Sequence, residues 1–214
     1  METQALSMFA LLQRHASTHE EQLAHLLPDR DITWRRLWSR IERGSARLYG
    51  EWGVRAGDTV AYVGSGHPDA IVLYFSLLRI GASLLPLEAM TDAAAAQALA
   101  AHRATLAVHD DGVQLDAVPS RRLEDLLAVW SHHDPAVVPD EMARRALWLP
   151  DGSGGWLQAS LLELCSAWAA VPRSGFINDR IFTADLLCNV VLPSLRDACT
   201  LRFAATDPIA RTGS

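Results

Sequence analysis

The chain contains no lysine; all nineteen of its basic residues are arginine. That excludes every phosphate-binding loop that relies on a lysine ammonium for the outer phosphates. Arginine is no simple replacement, because its planar fork differs in geometry from a compact ammonium. Cysteine is scarce: Cys165, Cys188 and Cys199 have neither the even count nor the close spacing of a disulfide framework or a zinc knuckle. A reduced chain is the expectation. No basic stretch accompanies Met1-Glu2-Thr3-Gln4, so no secretory signal is read there. Long apolar runs are missing as well. The most apolar one, Ala70 to Leu78, is stopped by Arg79, short of the ~20 residues that span a bilayer. Positive charge is in deficit, with a formal net charge of −6, which argues against nucleic acid as a partner. A cytoplasmic protein bound to neither membrane nor nucleic acid is expected.

Half of the 214 residues are hydrophobic and about a fifth are charged, enough to bury a sizeable core. Leu6, Phe9 and Leu12 share one helical face over residues 5–14. Leu23 to Leu27 reads as a strand, Pro28 to Asp31 as a turn, and Ile32-Thr33 as a second strand, with Thr33 placed to cap the next helix. Leu37, Ile41, Ala46 and Leu48 give that helix its apolar stripe, and it stops near Gly50 or Gly53. Thr59 to Val63 is a β-branched strand. Residues 68–80 form a helix ended by Gly81 in the C-cap position. Ser83 to Leu87 is a strand, Asp92 to His102 a helix opened by Thr91, and Thr105 to His109 a further strand.

Beyond Gly112 the pattern weakens, and residues 112–140 read as a connector holding one helix, Arg121 to Trp130. Next come strand Ala146 to Leu149, loop Pro150 to Gly155 and helix Ser160 to Val171. Strand Arg180 to Thr183, helix Leu186 to Arg196 and strand Cys199 to Phe203 complete a single domain over 1–205, and 206–214 reads as a flexible tail. Strands alternating with helices of about a dozen residues predict an α/β fold, a mostly parallel sheet with helices on both faces. No internal repeat is present.

Several stretches, in order and at matching spacing, resemble the adenylate-forming superfamily of acyl-CoA synthetases, peptide-synthetase adenylation domains and luciferases. They are Ile32-Thr33-Trp34 with Leu37, Arg40 and Ile41; Gly53-Val54-Arg55-Ala56-Gly57-Asp58-Thr59-Val60-Ala61; Pro68-Asp69-Ala70; Leu77-Leu78-Arg79-Ile80-Gly81-Ala82; and Leu85-Pro86-Leu87. The resemblance implies the N-terminal α/β subdomain of an AMP-binding ligase. In that superfamily a loop of glycines and hydroxyl residues followed by a lysine holds ATP. The corresponding residues here are Gly152, Ser153, Gly154 and Gly155, and Gln158 falls where the lysine belongs. A nest of backbone N–H groups would persist, without the ammonium and with Asp151 adding a carboxylate beside it. The alternative reading is a plain turn that binds nothing. Asp179-Arg180-Ile181-Phe182-Thr183 and Leu192-Pro193-Ser194-Leu195 resemble later family segments, without the aromatic–histidine stretch that lines the acyl pocket.

The family's second subdomain, adenine-binding strand and C-terminal lysine have no counterpart in these residues. Together these absences imply a catalytically inactive, truncated, ligase-like pseudoenzyme acting as a binding or accessory subunit in an acyl- or aryl-acid-activating pathway. Half of a split ligase and a gene remnant are the alternatives. No catalytic residue is assigned and no cofactor is expected, AMP or ATP being the ligands the resemblance implies for the loop. A protein partner or a second copy of the chain, met through an uncovered sheet edge, is the expected contact.

Eight histidines invite a metal reading, most of all His15, His19 and His25, with His132-His133 adjacent. No third ligand joins a helical His-x-x-x-His pair, so no metal is expected and surface histidines are the preferred reading. Ser65, between Gly64 and Gly66, reads as a turn rather than a nucleophile elbow. Of the seven tryptophans, some are expected in the core and any exposed subset would mark a partner surface.

Overall fold

The computed structural model describes residues 7–88, 90–110, 117–128, 135, 137–138, 143–151, 153–166, 176–177 and 180–204. The chain opens with α1 (Met8–Thr18), the hairpin strands β1 (Leu23–Leu26) and β2 (Asp31–Thr33), and α2 (Trp34–Gly50). Thr33 caps α2 as its sequence position suggests, its hydroxyl accepting from Arg36 N. Strand β3 (Thr59–Val63), α3 (Asp69–Ile80), β4 (Ser83–Pro86), α4 (Asp92–Ala101) and β5 (Leu106–His109) come next in the predicted alternation. Gly81 ends α3 at φ +85°, its N–H donating to the Leu77 and Leu78 carbonyls. That is the left-handed C-cap for which glycine is favoured.

Six strands form the main sheet in the order β6-β5-β3-β4-β7-β8, with β6 (Ser120–Arg122), β7 (Arg145–Pro150) and β8 (Trp156–Ser160) joining the three already named. All its pairings are parallel except β7 with β8, which are antiparallel. Alternating side chains divide between two cores. Val60, Tyr62 and Leu84 face the larger one built with α2 and α3, while Ala61, Leu85 and Leu87 meet Ala95, Ala98 and Leu99 of α4. Helices on both faces are what a buried parallel sheet requires, since neither face can meet water.

Helix α3 is buried along its whole length, with no residue from Asp69 to Ile80 outside the buried class. It lies against α2, where Gly44 approaches Ser76 so closely that an added Cβ would stand 2.5 Å from the Ser76 hydroxyl oxygen.

A second sheet, order β2-β1-β10-β9, combines the N-terminal hairpin with β9 (Phe176–Ile177) and β10 (Leu201–Phe203). Its existence is not legible from periodicity, because β1 and β10 pair across nearly the whole described chain. The helical stretch before β10 runs through α6 (Ala184–Leu186), a π-turn (Leu187–Val191) and α7 (Leu192–Arg196). Among the described residues no helix is long and apolar enough to cross a membrane.

Three predicted elements are corrected. The loop expected over Pro150 to Gly155 is the turn of a hairpin, and the residues between it and the helix expected from Ser160 form the unforeseen strand β8, with helix α5 (Leu161–Ser166) following directly. Ser160 and Glu163 form a reciprocal capping box there, Ser160 N donating to Glu163 Oε2 at 2.8 Å and Glu163 N to Ser160 Oγ at 3.1 Å. The helix expected from Arg121 is strand β6 followed by a short 3-10 turn, Leu123–Leu127. The strand expected over Arg180 to Thr183 does not form, because the Ile181 and Phe182 N–H groups donate to the Glu88 side chain. Parts of the 112–140 connector, the end of the helix predicted to Val171, and the 206–214 tail lie outside the described residues.

Candidate functional site

The glycine turn joins β7 to β8, with Leu149 opposite Leu157 and Pro150 opposite Trp156. Asp151 N donates to Gly155 O at 3.0 Å and closes the turn. The Asp151 carboxylate then folds back into it. Its Oδ1 accepts from Ser153 N, Ser153 Oγ and Gly155 N, each at 2.8 Å. Gly154 takes φ +92°. Gly155 has no room for a side chain, since a Cβ there would meet Asp151 Oδ2 at 2.4 Å. The Ser153 backbone N–H, with the Ser153 hydroxyl and the Gly155 N–H, holds the Asp151 carboxyl below its usual range.

The turn has therefore engaged its own anion. Of the residues expected to cradle phosphate, Ser153, Gly154 and Gly155 are brought together here, and Gly152 lies outside the described residues.

Gln158 sits on β8 opposite Trp148, and its Nε2 donates to Ser83 Oγ at 3.4 Å. It carries no charge toward the turn. Beside the turn, the His102 ring stands 4.3 Å from Trp148 and 5.7 Å from Trp156, centroid to centroid. Burial by these indoles lowers the His102 pKa and favours the neutral ring.

A second polar group lies at the carboxyl ends of β3, β4 and β5, the end of a parallel sheet where ligands are usually met. Tyr62 donates its hydroxyl to Asp110 Oδ2 at 2.7 Å and accepts from His67 N at 2.9 Å. Ser65 N donates to the same Asp110 oxygen at 3.0 Å. Gly64 makes this approach feasible, because a Cβ there would lie 2.3 Å from Asp110 Oδ2. Burial, then the Asp110 charge, raises the Tyr62 pKa well above its ordinary value. The Gly64-Ser65-Gly66 segment is thus a turn that frames a carboxylate, in keeping with its glycines.

Glu88, just past β4, is buried. Both of its oxygens accept from Ile181 N, at 2.9 and 3.0 Å, and Oε2 also accepts from Phe182 N at 3.0 Å. Burial outweighs these donors and pushes its pKa up to about 7. No sequence signal singles out Glu88, because its partners are backbone groups far along the chain.

The expectation of surface histidines fails for three of them, His15, His25 and, on β5, His109, which is also buried. His15 is 4% exposed, against Trp34 with its Nε2 near Arg196 O at 3.1 Å, and His25 is fully buried beside Phe203. Burial lowers the pKa of His15 and His25, that of His25 to about 4. Their helix and strand each present an inward face on which the imidazole lies, which residue type alone does not reveal. No cluster able to hold a metal ion occurs among the described residues. Trp34 is core, Trp38 and Trp52 pack against it, and Trp148 and Trp156 flank the α4 core. Trp130 and Trp168 lie outside the described residues, as do His132 and His133.

A family model described as AMP-binding enzyme matches residues 12–160. The nonribosomal peptide synthetase tcpP of Claviceps purpurea is 35% identical over 89 residues, 42% of this chain and 4% of that protein. Unliganded o-succinylbenzoate coenzyme A synthetase (MenE) of Bacillus subtilis superposes with a TM-score of 0.78 at 14% identity, over 93% of this chain and 44% of that one. The N-terminal subdomain of Klebsiella oxytoca NpsA, solved in complex with 3-hydroxybenzoyl-AMSN, superposes with a TM-score of 0.73 at 19% identity, over 93% of this chain and 54% of that one. The present chain spans about half the length of these solved structures and a small part of the synthetase.

Proposed function

Because the chain belongs to the AMP-binding enzyme family, we propose that it is a non-catalytic member, serving as a binding or accessory subunit in an acyl- or aryl-acid-activating pathway. The observation that carries this reading is the captured turn. Ser153 N and Gly155 N, the donors an anion nest would offer a phosphate, already bond to Asp151. A triphosphate would have to displace that carboxylate and would meet its charge at close range. The chain has no lysine to supply an ammonium, and Gln158, which an ungapped match sets in the lysine's place, donates to Ser83.

The aryl-acid assignment is supported by the neighbours, whose structures hold 3-hydroxybenzoyl-AMSN, anthranilyl-AMSN and the acyl-adenylate OSB-AMP. Contact with a partner would be made along β8, which pairs with β7 on one side and carries the 62% exposed Leu157, with Leu162 exposed beside it on α5.

The test is ATP-dependent pyrophosphate exchange by the purified chain with a panel of aryl and acyl acids. No exchange is expected. Formation of any acyl-AMP from magnesium-ATP by this chain unaided would overturn the reading. Calorimetry with AMP separates a sensing role from a plain scaffold, since binding without turnover supports the former.

A second reading is half of a split ligase, for which the edge strand β8, paired only with β7 among the described residues, offers a place for a further strand. Under that reading exchange returns when a complementary half-synthetase is added, and only then.

A further inference from the structure

Residues 180–183 lie against the carboxyl ends of β3 and β4 without joining either sheet. Ile181 is fully buried and Phe182 nearly so, although neither belongs to a strand. The Phe182 ring stands edge-on between Tyr62 of β3 and Tyr74 of α3, with centroids 6.3 and 6.0 Å away. That ring is the wedge of a strap, and Glu88, just past β4, is its catch. Among the described residues, the hydrogen bonds from this segment to the sheet come from Ile181 N and Phe182 N, and all of them end on the Glu88 carboxyl group. On its other side Thr183 starts α6, its Oγ1 accepting from Leu186 N and its carbonyl from Leu187 N.

A single carboxyl group thus carries the polar attachment of the strap. Neutral or ionised, it can accept the two N–H groups. Burial penalises only the ionised form, and only while the strap is closed. The closed state raises the Glu88 pKa to about 7 from its ordinary 4.5, so it keeps a proton that the open state releases. Below pH 4.5 both states hold that proton and the strap is tightest; opening becomes easier as pH rises to about 7 and levels off above. The other ionisable groups acting on Glu88 leave that sign unchanged. Arg180, exposed beside it, favours the ionised form, Asp110 beyond β5 opposes it, and Tyr62, its own pKa raised by burial, stays neutral across the window.

We propose that residues 180–183 are a proton-controlled strap, closed over the carboxyl ends of β3 and β4 while Glu88 is neutral, and opening locally, with the rest of the fold intact, when Glu88 passes its proton to solvent. The open form is a minority at every pH, since Ile181 and Phe182 must leave the core. Opening withdraws Phe182 from Tyr62 and Tyr74 and bares the Glu88 carboxylate at the end of the sheet where α/β folds admit ligands. His25, beside Phe203 of β10, stays buried, so its titration has no part in this local event.

The experiment is hydrogen exchange followed by NMR on the full chain across this pH range, each rate corrected for its intrinsic pH dependence. Ile181 and Phe182 amides report the strap, and the amides of α3, buried along its whole length, report the whole fold. In the native chain the strap amides should exchange faster than those of α3. Their opening constant should rise at least about tenfold between pH 4.5 and about 7, then level off. In Glu88→Gln, which keeps an acceptor and loses the titrating proton, it should stay level. Arg180→Gln, on the surface, should move the levelling-off to higher pH, and it tests the strap even if Glu88→Gln does not fold. The proposal is overturned if the strap amides exchange in step with α3 at every pH, if their opening constant in the native chain does not change with pH, or if Glu88→Gln keeps the rise.

Discussion

His25 and Glu88 should give the protein a pH response that is hidden in the native chain and revealed by removing either one. His25 is fully buried with its pKa moved from 6.5 down to about 4, chiefly by burial. Between those values the unfolded chain takes up a proton that the folded chain refuses, so stability falls as pH drops from 6.5 toward 4. Glu88 has its pKa raised from 4.5 to about 7, again chiefly by burial. There the folded chain keeps a proton that the unfolded chain releases, so stability falls as pH rises from 4.5 toward 7.

Each slope is about 1.4 kcal/mol per pH unit, and the two oppose one another across the shared interval from pH 4.5 to 6.5. Glu88→Gln removes the descending contribution, so relative to the native chain its stability should gain about 3 kcal/mol between pH 4.5 and 6.5. His25→Leu, which keeps the contact with Phe203 and removes two nitrogens unpartnered among the described residues, should lose a similar amount over the same span. Urea unfolding followed by tryptophan fluorescence at constant ionic strength measures both. Differences from the native chain cancel the surface carboxylates common to all three proteins. Three parallel pH curves would refute the burial-shifted protonation of these two groups.

Gly44→Ala should destabilise by about 1–3 kcal/mol despite the better helix former, because its methyl lands on Ser76 Oγ, which is held by Ile41 O. Chemical denaturation of Gly44→Ala alone and with Ser76→Ala checks this, and the double variant should recover part of the loss. Gly81→Ala should cost about 1–3 kcal/mol, since φ +85° is strained for alanine and its Cβ would stand 2.9 Å from Val138. Its melting temperature should drop accordingly. Asp151→Gly should free the Ser153 and Gly155 N–H groups, so pyrophosphate binding by calorimetry should rise above that of the native chain; no change would mean that the carboxylate is not what closes the turn.

The first half of the fold was readable because its signals are local. Thr33 and Thr91 cap the helices they precede, Gly81 ends α3, and β3 stands where its β-branched run predicts. The second half was less readable because its contacts are distant. Leu147, Trp148 and Leu149 read as a buried strand, but nothing local says that residues 156–160 turn back to pair with them. Ile181 and Phe182 carry a strand-like pattern, yet their N–H groups go to Glu88, more than ninety residues earlier. In the glycine turn, the missing lysine and the presence of Asp151 were plain in the residues. The direction of the Asp151 carboxylate, inward onto Ser153 and Gly155, was not.

The order of residues alone determined the α/β class, the parallel core built around β3, β4 and β5, and the want of an ammonium beside the glycine turn. Each depends on side-chain identity and on periods of two or three to four residues, and these survive without knowledge of the third dimension. Tertiary structure decided the rest: a second sheet joining β1 to β10, a buried His25, a Glu88 proton held near neutrality, and a Phe182 ring wedged between Tyr62 and Tyr74. Those features depend on burial and on pairs brought together from far apart, and both exist only once the chain has closed on itself.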